Sequence, residues 1–145
     1  HYLMLRALKG STDRRIAEIA EKAFKEVSYH LDRSRDLIIR LGDGTAESHR
    51  RMQEALDELW AFTGEMFVGD AFDAALVQAG VIPEPQSLKA GWDEIVSDAL
   101  VEATLKRPAD GYMHKGGRRG VHTEHLGYML AELQFLQRAY PGATW

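Results

Sequence analysis

IAEIAEKAFKEVSYHLDRSRDLIIRL, residues 16–41, is the stretch that decides the fold. Its apolar positions Ile16, Ile19, Ala20, Ala23, Phe24, Val27, Leu31, Ile38 and Leu41 recur in steps of three and four, with Ser34 holding the remaining place in the stripe. Steps of three and four put side chains on one face of a 3.6-residue helix, so the stretch predicts a bundle helix of about 30 residues, ~45 Å long. Gly10-Ser11-Thr12-Asp13 makes the turn before it. Ser11, Thr12 or Asp13 can accept from the orphan amides of its first turn. Leu41-Gly42-Asp43-Gly44 should end it, glycine supplying a positive φ.

The same pattern extends in both directions. Residues 1–9, HYLMLRALK, read as the remnant of a helix with no cap before it, and the chain is expected to be a fragment. After Thr45 or Ser48 as cap, a third helix follows the stripe Met52, Ala55, Leu56, Leu59, Trp60, Thr63, Met66 and Phe67. Leu31 and Leu59, in the middle of their stripes, are expected to be packed. A short helix near Ala71–Ala79 precedes Pro83-Glu84-Pro85. Ser87 is the expected cap of a helix through Leu88, Trp92, Ile95, Val96, Ala99, Leu100 and Ala103 that runs until Pro108. Ala109 to Gly120, with four glycines, reads as a loop. Thr123 should cap a last helix on Leu126, Leu130, Leu133 and Leu136, ended by Pro141-Gly142. No stretch alternates convincingly as a strand, so the fold class is all-α, one helical domain over residues 1–145.

Composition narrows the function. With 45% hydrophobic and 28% charged residues, a 145-residue chain can build a core. A formal charge of -4 gives no reason to expect nucleic acid. No cysteine is present, which excludes disulfides, thiolate zinc and iron–sulfur ligation by this chain. No run approaches the ~18 apolar residues of a membrane span. The expectation is a cytoplasmic protein with neither nucleic acid nor membrane among its partners.

Three segments, LGDGTAESHRRMQEALDELWAFTGEMF (41–67), AGWDEIVSDALVEATL (90–105) and GRRGVHTEHLGYMLAELQFLQRAYPGATW (117–145), resemble the second half of the phenylacetate-degradation proteins of the A and C type, most closely the C type. The resemblance runs from end to end of the chain. It implies a ferritin-like bundle, here lacking opening helices that the family carries before His1. It also implies a structural role beside a related catalytic A-type subunit, in a multicomponent enzyme that epoxidises the ring of phenylacetyl-CoA with O2. Di-iron is then expected in that catalytic subunit, with no cofactor in this chain. A small B-type subunit and a reductase carrying flavin and iron–sulfur, fed by NADPH, complete the implied assembly, and a second copy of the chain is a further candidate partner.

The candidate chemistry is sparse. Ferritin-like iron sites use Glu-x-x-His pairs. Here Glu26 is followed by His30 at four residues, with Tyr29 at the third, so the ligand step is out of register. Glu26 with His30 therefore reads as a structural pair. His122, Glu124 and His125 form a second polar cluster at a helix start, with too few ligands for a di-iron centre, and no metal is expected on this chain. Lys115, Arg118 and Arg119, on a glycine-rich loop before that helix, are candidates for contact with phosphates of coenzyme A or with acidic groups of a partner. No catalytic residue stands out. The alternatives are an autonomous metal-dependent ferritin-like oxidase and a helical interaction module unconnected with oxygenation.

Overall fold

Asp13 starts the long helix. Its carboxylate accepts from the amides of Arg15 at 2.9 Å and Ile16 at 3.2 Å, giving two orphan donors a partner. The computed structural model describes residues 1–144, and in it the helix, α2, runs Arg14–Gly42. The other candidate caps have different work: Ser11 Oγ donates to the Val81 carbonyl at 2.7 Å and Thr12 Oγ1 to that of Ala79 at 2.8 Å. These bonds tie the turn to the end of a helix some seventy residues on. Helix α1, Tyr2–Leu8, lies against α2. Tyr2 meets Phe24 with ring centroids 5.1 Å apart, and Lys9 pairs with Glu21 at 3.2 Å while its ammonium sits 4.6 Å from the Phe24 ring centre.

At its other end α2 stops where expected, for a different reason. Neither Gly42 nor Gly44 has a positive φ. Gly42 is needed instead for close approach: a Cβ there would fall 2.5 Å from the Ala103 carbonyl oxygen. Thr45 caps α3, Ala46–Leu59, its hydroxyl accepting from Ser48 N at 3.1 Å. The helix expected to reach Phe67 ends eight residues earlier and continues as 3-10 turns at Trp60–Phe62 and Gly64–Phe67. Gly64 lets Met113 pack against the backbone there, since a Cβ would meet the Met113 side chain at 2.8 Å.

Helix α4, Ala71–Gln78, starts with a reciprocal capping box between Asp70 and Asp73. Helix α5 is Lys89–Glu102, entered through a 3-10 turn at Pro85–Leu88. Ser87 lies inside that turn and donates to the Glu84 carbonyl at 2.6 Å, so it does not cap α5. Nor does α5 run to Pro108. Thr104 takes φ 59°, an uncommon conformation for a non-glycine residue, and the Leu105 amide donates back to Leu100. The turn folds Ala103 and Leu105 into the core with Trp60 and Leu100, packed by Ile38, Leu56, Trp92, Val96 and Met113.

Backbone contacts group the described residues into two compact units, His1–His114 and a second beginning at Lys115. In the first, α2 packs with α1, α3 and α5 as a ferritin-like helical bundle. The second contains a 3-10 turn at Gly117–Arg119, helix α6, His125–Leu133, and helix α7, Phe135–Ala139. The expected single last helix is broken at Gln134, and Thr123 caps nothing with its hydroxyl: its carbonyl accepts from Leu126 N at 3.2 Å. No strand occurs among the described residues, so the fold is all-α. Among them, no helix is long and apolar enough to cross a membrane.

Candidate functional site

Glu26 and His30 are brought together by one turn of α2, with His30 Nε2 3.1 Å from Glu26 Oε1. Both side chains are more than half exposed, so the pair spends its capacity on itself at a solvated surface. His122, Glu124 and His125 also lie exposed, at the start of α6, and α6 has no side-chain cap. Among the described residues, no three His, Asp or Glu side chains converge as a metal site would require. These residues do not fit a di-iron centre.

Lys115, Arg118 and Arg119 are exposed on the loop expected to carry them. Gly116 and Gly120 take φ 99° and 85°, conformations open to glycine. They wind the loop so that the amides of Arg119 and Val121 donate to the Gly116 carbonyl and that of Gly120 to the Gly117 carbonyl. Those amides are occupied, so a phosphate would meet the long cationic side chains rather than a backbone nest.

A polar site that joins α5 to the segment after it was not singled out from sequence. On α5, Lys89 Nζ donates to Asp93 Oδ2 at 2.7 Å, while Arg107, beyond the helix, donates to Asp93 Oδ1 at 2.7 Å and Ser97 Oγ at 3.0 Å. The Arg107 guanidinium also lies 5.0 Å from the centre of the Trp60 ring, whose Nε1 donates to Asp110 at 3.1 Å. The bonds from Lys89, then Arg107, hold the Asp93 carboxyl below the usual aspartate range. On α3, bonds to Glu54 and then Glu47 hold the Arg50 guanidinium even more firmly protonated. The four-residue spacing of Lys89, Asp93 and Ser97 was readable as one helix face; the return of Arg107 was not, because it depends on the turn at Thr104. Beside this cluster, His114 stacks on Phe62 with centroids 4.3 Å apart, and its amide donates to the Ala61 carbonyl. The arrangement clamps the segment after α5 onto Trp60.

The sequence pattern of the phenylacetic acid catabolic proteins matches residues 1–145. The chain belongs to the phenylacetic acid catabolic protein family. Among curated relatives, this family member is 45% identical over all 145 residues to the C-type subunit of 1,2-phenylacetyl-CoA epoxidase from Escherichia coli (strain K12). The match takes in 100% of this chain and spans 58% of that relative's length. The family resemblance carried by the segments quoted above is thereby confirmed. So is the placing of the chain nearest the C type.

Proposed function

We propose that this phenylacetic acid catabolic protein serves as a non-catalytic structural subunit of a multicomponent phenylacetyl-CoA 1,2-epoxidase in the cytoplasm. The observation that carries the reading is the 45% identity, over every residue of the chain, to a protein named as the C-type subunit of such an epoxidase. The geometry agrees with it. Glu26 and His30 satisfy each other, and the polar network at Asp93 clamps a loop. The chain then brings no metal of its own, and the di-iron belongs to a catalytic A-type partner, with a B-type subunit in the same assembly. Lys115, Arg118 and Arg119 would act by charge, drawing phosphates or a partner's carboxylates to the loop.

Reconstitution tests this reading. The family-length protein is omitted from, and returned to, a mixture of the other subunits, reductase, NADPH and phenylacetyl-CoA, and ring epoxidation is followed. Loss of turnover on omission, with no turnover by the protein alone, supports the structural role. Iron-dependent oxygen consumption by the isolated protein would establish the autonomous oxidase instead. Turnover unaffected by omission would favour a helical module outside the reaction.

A further inference from the structure

Two Asp-Gly steps occur in the chain, Asp43-Gly44 and Asp110-Gly111, and the chain has no asparagine. An Asp-Gly step can cyclise, the glycine nitrogen attacking the aspartate Cγ, because glycine carries no Cβ to shield its amide. Closure needs the peptide between the two residues to rotate until that nitrogen faces Cγ. The fold therefore decides which of the two steps can react.

Asp43 is held against rotation. It closes α2 at φ -92° and ψ 22°, its amide donating to the Ile39 carbonyl at 2.8 Å. Gly44 lies so close to the helix end that a Cβ there would fall 2.7 Å from the Arg40 carbonyl oxygen. Asp110-Gly111 has the opposite setting. Residues 107–113 make no backbone–backbone hydrogen bond to any described residue. The chain is fastened on either side of them: the Gln53 side chain accepts from Lys106 N at 2.8 Å and donates to the Lys106 carbonyl at 2.9 Å, and the His114 amide donates to Ala61. Between these points Asp110 is tethered by its carboxylate, which accepts from Trp60 Nε1 at 3.1 Å and lies 3.9 Å from the Arg107 guanidinium. Its side chain is 57% exposed, and nothing stands within 4 Å of where a Cβ on Gly111 would be.

We propose that Asp110-Gly111 is a site of spontaneous isoaspartate formation, and with it a substrate site for a methyltransferase that esterifies isoaspartyl carboxylates. Gly111 N bonds to Cγ of the protonated Asp110 carboxyl, and one water leaves, made of the carboxyl hydroxyl and the amide hydrogen. Water then opens the imide ring. Opening at Cγ restores aspartate. Opening at the former backbone carbonyl routes the main chain through Cβ and leaves a free α-carboxylate. Neither step oxidises or reduces anything. The second product adds a methylene to the backbone and draws the carboxylate off Trp60, which is buried, so its indole N–H loses its partner. The segment after α5 is then freed from the aromatic core at that point.

The test incubates the family-length protein near neutral pH in heavy-oxygen water and follows the peptides carrying Asp110 and Asp43 by mass, and by esterification with an isoaspartyl methyltransferase and S-adenosylmethionine. The Asp110 peptide should split into two forms, one of them esterified, and should take up heavy oxygen at least about tenfold faster than the Asp43 peptide, where a helix end must open first. Gly111→Ala should slow that uptake several-fold, its Cβ shielding the amide. Ageing should lower the denaturation midpoint, and repeated esterification, which returns the residue through the imide toward aspartate, should raise it again. Equal uptake at the two steps overturns the proposal, as does uptake at Asp110 only in denatured protein. An isoaspartate at position 110 that leaves the midpoint unchanged overturns the release from Trp60.

Discussion

Arg107 reaches back fourteen residues to Asp93, its Nη2 2.7 Å from Oδ1, and in doing so lays its guanidinium 5.0 Å from the centre of the Trp60 ring. One side chain thus fastens the segment after α5 both to that helix and to the aromatic core. Arg107→Ala should lower stability by about 1–3 kcal/mol, leaving Asp93 with Lys89 alone and uncovering Trp60. Arg107→Lys should recover only part of the loss, since an ammonium cannot bridge Asp93 and Ser97 while stacking on Trp60. Chemical denaturation followed by tryptophan fluorescence measures both. Equal midpoints for wild type and Arg107→Ala would show that the clamp is idle.

The same carboxylate makes stability depend on pH in a stated direction. Its folded value lies below that of an unfolded aspartate, about 3.9, so the contribution is present in full above that range and is lost as pH falls through the folded value. The stability gap between wild type and Asp93→Asn should therefore be level at neutral pH and should narrow as pH drops below about 4. A gap that widened on acidification would reverse the assignment.

Gly42→Ala should destabilise the protein although it lies at the end of a helix, where alanine ordinarily gains up to about 1 kcal/mol over glycine. The new Cβ would stand 2.5 Å from the Ala103 carbonyl oxygen and 2.8 Å from its Cβ. Backbone must move, so a net loss of about 1–3 kcal/mol is expected, read from the thermal midpoint. An unchanged or raised midpoint would mean that the crossing of α2 and the end of α5 yields easily.

In the 145-residue chain, Leu59→Ala should cost less than about 1 kcal/mol and Leu31→Ala more, because Leu59 is 60% exposed and Leu31 is half-buried. Denaturation of the two variants makes the comparison, and a larger loss for Leu59→Ala than for Leu31→Ala would overturn it.

Replacing Lys115, Arg118 and Arg119 together by Ala should weaken coenzyme A binding or subunit assembly, with an effect that fades as salt is raised. Turnover of the saturated, assembled enzyme should hardly change, since the three side chains would act by attracting anionic groups and not in the reaction itself. Normal binding and assembly combined with lost turnover would contradict a purely electrostatic role.

Periodicity alone determined that this chain is helical, because a stripe such as Ile16 to Leu41 states which face of a helix is apolar, and the quoted segments were specific enough to place its family. Local sequence also narrowed the caps to Ser11, Thr12 or Asp13 and to Thr45 or Ser48, and gave the pairing of Glu26 with His30, all interactions that span one turn. Tertiary structure decided what depends on residues far apart. It ended α3 at Leu59, brought Met113 against Gly64, ended α5 ahead of the left-handed Thr104, and required glycine at 42 through Ala103. It also left Leu59 open, because a stripe announces that a surface will be covered, whereas the neighbour that covers it must come from elsewhere in space.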